Sequence, residues 1–377
     1  MLQKSNAIGR AMLVPCPPKK VLLAERAHCG GLGSTQARPE TYRAVTGLTK
    51  ARRYPVAVLA ILLLVLLEVT QAGPENPLLA SARDKFEAGK YREVASLLQT
   101  ALAQEPQNGF LAFWLMRSYF ELSMFEEAVS YGEQALKSEP SNSEYHLWLG
   151  RAYGRKAEKA RSFTIARKTR EEFETAVRLN PANLSARRDL MEFYIEAPWI
   201  VGGGKEKGWR QAAAIAELDA VEGCLARGFY WQNLKKPSLA EAEYARVLEL
   251  RPGHLEPYLE LADFYQANQD ASRMEAAVEA AAHIAPRDCR LAFYRGVACI
   301  LARKQLGEAD QYLKTYLATA PPRHDFPSPA SAHAWLGRLY EELGHPQLAA
   351  EQYKAALELA PGHKDAIEGL KRTSRTP

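Results

Sequence analysis

"HAWLGRLYEELGHPQLAAEQYKAALELAP", His333–Pro361, carries Leu336-Gly337, Tyr340, Gly344, Ala349, Tyr353, Ala356 and a closing Pro361. Small, large and helix-stopping residues alternate here at fixed spacing. Working outward, "YHLWLGRAYG" (145–154) repeats the first half with Leu149-Gly150 and Tyr153. "FWLMRSYFELSMFEEAVSYGEQALKSEP" (113–140) repeats most of it, with Tyr119, Ala128, Ala135 and Pro140. Prolines that close apolar helices fall at 106, 140, 181, 252, 286, 321 and 361, and the 106–140 and 252–286 intervals are both 34 residues. A fixed period of this length signals a repeat architecture. Gly150, Gly337, Ala128 and Ala349 let two helices approach closely. Tyr119, Tyr153 and Tyr340 are expected to fill the gap to the next pair. Each proline stops a second helix because it cannot continue the hydrogen-bond ladder.

These residues resemble the tetratricopeptide repeat, a helix–turn–helix unit of 34 residues, over roughly residues 75–370. The resemblance implies an all-α, right-handed α-solenoid of about eight units, since one helix pair cannot bury its apolar face alone. The pairs are expected to begin near 75, 109, 143, 184, 221, 255, 289 and 330, with 73–370 in the solenoid and 371–377 as a flexible tail. "FETAVRLNPANLSARRDLMEFYIEAPWIVGGGKEKGW" (173–209) is further similar to a subgroup of bacterial exported tetratricopeptide proteins of unsettled function. That likeness implies export and no particular chemistry.

Within the same stretch, three glycines and a lysine (202–205) invite a phosphate-loop reading. Phosphate loops follow a strand and need Gly-x-x-x-x-Gly-Lys-Ser/Thr. Here Trp199 stands where the first glycine belongs, Glu206 replaces the hydroxyl residue, and a helical pattern (183–198) precedes the loop. Pro198–Gly204 is therefore expected to be an enlarged turn inside the fourth hairpin, and no cofactor is expected.

The chain of 377 residues has a formal net charge of +5. Residues 1–72 hold ten Lys/Arg against three Asp/Glu, and the remainder holds 39 against 41. The body thus lacks the basic excess of a nucleic-acid binder, and no nucleic acid is expected. Of five cysteines, Cys224, Cys289 and Cys299 lie in the body without Cys-x-x-Cys spacing. On one helix Cys289 and Cys299 would sit ~15 Å apart, too far for a disulfide. Cys224 and Cys299 are read as buried packing residues.

Arg52-Arg53, the apolar run Val56–Leu67 and the small residues Thr70 and Ala72 follow the order of a secretory signal peptide. The run would form a helix of only about 18 Å, short of the ~30 Å hydrocarbon core, so cleavage is favoured over anchoring. Residues 48–72 are thus read as the signal, with 54–67 a membrane tether if it stays uncleaved. Residues 1–47 are read as a non-native or disordered extension, with the natural start near Val45 or Leu48. A periplasmic or extracellular location follows from this reading.

The seven body histidines are scattered, and metal ligands need convergence, so no metal site is expected. Trp114, Trp148 and Trp335 are read as packing residues. The run "RAYGRKAEKARSFTIARKTR" (151–170) has eight Lys/Arg against one glutamate; it is read as a solvated face, with attraction to anionic lipid, polymer or an acidic partner as the functional reading. Arg83, Arg117 and Arg151 recur 34 residues apart, at a position that in the resembling family looks into the concave groove. Phe86, Phe113 and Phe120 lie nearby. Arginines beside aromatics suit an extended segment bearing carboxylates. The carboxylate clamp of chaperone-binding relatives is absent, since it wants asparagine where Arg83 and Arg117 stand. The expectation is a non-enzymatic, exported scaffold binding a protein or peptide along its concave face. The alternative is an envelope glycan-binding module.

Overall fold

A computed structural model describes residues 77–374. The 1–47 extension, the signal at 48–72, the 54–67 tether and residues 375–377 lie outside the described residues. Residues 81–374 belong to one compact unit, and the contacts discussed here lie within it.

Eight helix pairs follow one another: α1 (Pro77–Glu87) with α2 (Tyr91–Gln104), α3 (Gly109–Glu121) with α4 (Phe125–Ser138), α5 (Ser143–Ala160) with α6 (Phe163–Leu179), and α7 (Leu184–Glu196) with α8 (Lys205–Leu218). Then come α9 (Ala220–Asn233) with α10 (Pro237–Leu250), α11 (Glu256–Ala267) with α12 (Ala271–Ile284), α13 (Arg290–Ala302) with α14 (Leu306–Thr319), and α15 (Pro329–Glu342) with α16 (Pro346–Leu359). Helix α17 (Lys364–Thr373) ends the stack, and no strand occurs among the described residues. The fold is an all-α helical-repeat solenoid. Each first helix starts within two residues of its expected position.

Local chemistry explains these boundaries. Pro106, Pro140 and Pro181 end one unit, and two residues later Asn108, Asn142 and Asn183 cap the next. Their side chains accept from Leu111 N, from Glu144 N and Tyr145 N, and from Ala186 N. A side-chain cap of this kind is worth about 1 kcal/mol.

The small residues act as expected. A Cβ on Gly150 would lie 2.6 Å from the Phe173 ring, and one on Gly337 would lie 2.6 Å from Tyr353. Both glycines let a first helix rest on the aromatic residue of its own second helix. The tyrosines differ from expectation: they reach back to the preceding pair, not forward to the next. Tyr119 Oη accepts from Gln99 Nε2, Tyr153 Oη donates to Glu133, and Tyr340 Oη donates to Asp310 at 2.6 Å; Tyr194 Oη likewise donates to Glu174. In a helix the side chain leans toward the N-terminus, so a tyrosine late in a first helix meets the second helix behind it.

The tail boundary also moves. Helix α17 continues through Lys371 and Arg372 to Thr373, because cations suit the last turn of a helix and Arg372 Nη2 pairs with Glu341 at 3.0 Å.

Candidate partner-binding face

Successive first helices touch one another from α3 to α15, while successive second helices make no comparable contact. The first helices therefore form the inner layer, where the arginine ladder was expected. Arg117 lies within a cage of rings: its guanidinium carbon is 4.9 Å from the centroids of Phe86 and Trp114 and 4.6 Å from that of Trp148. Its Nε has no hydrogen-bond partner, and no carboxylate pairs with it among the described residues. Burial lowers its pKa, with partial compensation from the nearby Glu121 charge.

Arg151 is different. It is 2% exposed, and its Nε donates to Asp189 Oδ2 at 2.6 Å. Burial works against its charge, but the Asp189 carboxylate outweighs that, so its pKa is raised. The expectation that Arg151 is an open partner contact needs correction: the fourth unit already supplies its carboxylate.

The phenylalanines are also occupied. Phe86 sits edge-on to Trp114, Phe113 stacks on Tyr145 with centroids 4.7 Å apart, and Phe120 sits edge-on to Trp148. All three are buried, so they join neighbouring helices and do not face a groove. Arg83 is exposed on α1.

A second charged cluster follows. Arg188 on α7 pairs with Glu192 in its own unit, Glu222 in the fifth and Glu260 in the sixth, at 3.2, 3.5 and 2.5 Å. Burial opposes its charge, yet the carboxylates of Glu260, Glu192 and Glu222 raise its pKa well above normal. Glu192 Oε2 and Glu196 Oε1 have no hydrogen-bond partner among the described residues. Burial, reinforced by the Glu158 charge, pushes Glu196 up to about 7. The sequence did hold a signal for this cluster. Glu192 stands eleven residues after Pro181, as Arg117 stands after Pro106 and Arg151 after Pro140. The ladder changes sign at the fourth unit.

The segment Ala320–Ser328, between α14 and α15, returns to the start of the stack. Arg323 Nη1 meets Glu87 Oε2 at 2.7 Å, while its Nε and Nη2 donate to Asp325. Burial opposes the Arg323 charge, but Asp325 and Glu87 outweigh it and raise its pKa. Glu121 Oε2 lies 3.0 Å from both the backbone nitrogen and Nδ1 of His324, and the His324 ring lies 5.4 Å from Phe120. This clasp was not anticipated. Its only sequence trace is spacing: α15 starts eight residues after Pro321, where α3, α5 and α7 start three residues after their prolines.

Models of the tetratricopeptide-repeat family match residues 85–152 and 330–363, the second spanning the stretch quoted at the outset. The chain carries tetratricopeptide repeats. Curated proteins yield no sequence match. Among solved structures the chain is similar to the Cut9–Hcn1 hetero-tetramer of the APC/C, with 16% identity and a TM-score of 0.46. That match covers 78% of this chain and 55% of the other, so the chain spans about half of its length. It is also similar to a tetratricopeptide repeat protein from Parabacteroides merdae, with 15% identity, a TM-score of 0.44, and coverage of 71% and 99%. The third is pilF of Pseudomonas aeruginosa, with 14% identity, a TM-score of 0.36, and coverage of 70% and 97%. None of these likenesses speaks to function.

The glycine run has an unambiguous place in the tetratricopeptide stack: it joins α7 to α8. A short 3-10 turn, Trp199–Val201, leads into it. The amides that would cradle a phosphate are already used. Gly202 N donates to Trp199 O, Gly203 N to Pro198 O, and Gly204 N to Tyr194 O at 2.7 Å. The loop is a joint. Histidines of the tetratricopeptide units do not converge either: His146 pairs with Glu172, His333 with Gln352, and His363 caps α17. Cys224, Cys289 and Cys299 are free thiols; Cys224 is buried, whereas Cys299 is only half-buried. Trp148 is buried and Trp114 half-buried in packing between first helices, which leaves neither as an open sugar platform.

Proposed function

We propose that this tetratricopeptide-repeat protein is exported to the cell envelope, where it holds an extended segment of a protein partner along its inner face without catalysing a reaction. Tetratricopeptide repeats mediate protein–protein contacts, and the fold typically serves as a non-catalytic scaffold. One observation carries the reading: Arg117 keeps a caged guanidinium with an unpartnered Nε on the inner layer. A buried cation without an anion is costly, and a carboxylate of a docked segment would relieve that cost. The positive, apolar and small-residue order of residues 52–73 supports export.

The test starts with proximity labelling of the full chain to identify the partner. Titration of that partner then compares the wild type with Arg117→Gln. Loss of a charge-assisted contact, about 1.5–3 kcal/mol, should weaken binding by roughly 10- to 100-fold. Equal affinities would remove Arg117 from the interface. Saturable glycan binding without a protein partner would overturn the reading.

A further inference from the structure

Two features that looked unrelated in the sequence, the glycine joint and the basic run, meet in the structure. Arg167 Nη2 on α6 donates to Ile200 O at 3.3 Å, and Arg170 Nη1 donates to Val201 O at 3.2 Å. From the other side, Lys207 Nζ donates to Gly202 O at 3.3 Å. The turn is anchored from below by Val201, which is buried. Trp199 and Ile200 face outward from this held turn, 84% and 44% exposed.

The charges around the turn are not balanced. Arg170 is offset by Glu171 and Glu174, and Glu206 by Arg210. Arg167, Lys205 and Lys207 have no carboxylate partner among the described residues. Phe163, one helical turn before Arg167 on α6, is exposed as well. The result is a rigid apolar tip with a cationic rim.

We propose that this tip docks the protein on an anionic lipid surface, with Trp199 and Ile200 entering the interfacial region and Arg167, Lys205 and Lys207 meeting the headgroups. Two physical arguments select a bilayer. First, the apolar area that Trp199 and Ile200 offer is a few hundred Å², well below the ~800 Å² per partner of a stable protein interface. Second, an exposed indole on a turn that lysine and arginine also contact matches the bilayer interface, where tryptophan resides and negative surface potential attracts cations. A soluble polyanion would use the rim but would leave the indole in water. The inference does not depend on what the inner face binds.

The experiment uses the full chain with phosphatidylcholine vesicles, with and without phosphatidylglycerol. Lipids carrying bromine on their acyl chains report tryptophan insertion by quenching. The wild type should bind more tightly when phosphatidylglycerol is present, and its fluorescence should be quenched. Trp199→Ala should weaken partitioning by about tenfold or more and lose the Trp199 share of the quenching. Lys205→Gln with Lys207→Gln should reduce the preference for anionic vesicles by roughly fivefold per cation. Thermal midpoints should move little, since both lysines and the indole are exposed and the Lys207 bond to Gly202 O is a single surface contact. Equal partitioning of wild type and Trp199→Ala would overturn the proposal, as it would show that another part of the chain, such as the apolar 54–67 segment, carries the binding. Binding to heparin with no Trp199-dependent quenching on vesicles would overturn it in favour of a polyanion site.

Discussion

Arg151 Nε and Asp189 Oδ2 lie 2.6 Å apart, with both side chains almost fully buried, and this pair ties the third repeat to the fourth. Removing one member of such a pair leaves the other charged and unpaired in the core. Arg151→Gln is therefore expected to destabilise the protein by about 3–5 kcal/mol, with Asp189→Asn added restoring a substantial part. Urea unfolding of the two single variants and the double variant measures this. Additive losses would show that the pair is not coupled.

Arg117 should behave in the opposite way. Its guanidinium rests on Phe86, Trp114 and Trp148, with no ion-pair partner among the described residues. Arg117→Met keeps the apolar stem and removes a charge that burial disfavours, so stability should stay within about 1 kcal/mol of wild type or rise. A loss as large as that of Arg151→Gln would mean that Arg117 has an internal role in holding the units together.

Glu196 gives a pH dependence with a defined sign. Burial and the Glu158 charge raise its folded-state pKa from 4.5 to about 7, so the folded protein holds a proton that the unfolded chain has released across that interval. Its contribution is to lower stability as pH rises from 4.5 toward 7, on the order of 2 kcal/mol. Glu192, raised by burial, works in the same direction. Glu196→Gln should flatten this slope and stabilise the protein near neutrality. Denaturant midpoints of both proteins at acidic and neutral pH check this, and parallel slopes would contradict it.

The glycine joint should tolerate changed chemistry but not changed geometry. Lys205 is exposed, so Lys205→Ala should alter stability by no more than about 0.5 kcal/mol and should cause no loss of nucleotide binding. A Cβ on Gly203 would run into the Ala197 carbonyl, and Gly202 has φ of +98°. Gly203→Ala should therefore loosen the docking of α8 on α7, by about 1–3 kcal/mol. Hydrogen exchange across residues 198–215 reads this directly. Unchanged protection would show that the turn shifts without cost.

The clasp should be local in its effect. Arg323 bridges Asp325 and Glu87, and Glu87 is well exposed. Arg323→Ala should cost about 1–2 kcal/mol and speed exchange in both the 320–328 segment and the turn around Gly89, whose Cα faces Pro322. Faster exchange in only one of the two segments would show that they are not coupled.

The proline period, the small residues and the recurring tyrosines of the units were enough to set eight helix pairs in place, because a helix start, a helix stop and a close helix contact depend on local residue spacing. The same local spacing located Arg83, Arg117 and Arg151 at equivalent points of three consecutive first helices. It did not determine which of them stays open. That depended on Asp189, 38 residues beyond Arg151, arriving from the next unit with a carboxylate, while among the described residues no carboxylate pairs with Arg117. The Ala320–Ser328 clasp and the meeting of Arg167 with Ile200 have the same origin. Each joins residues whose distance in space is set by how whole units stack, and burial or exposure of a charge depends on those distant partners. Helical periodicity alone does not carry that information.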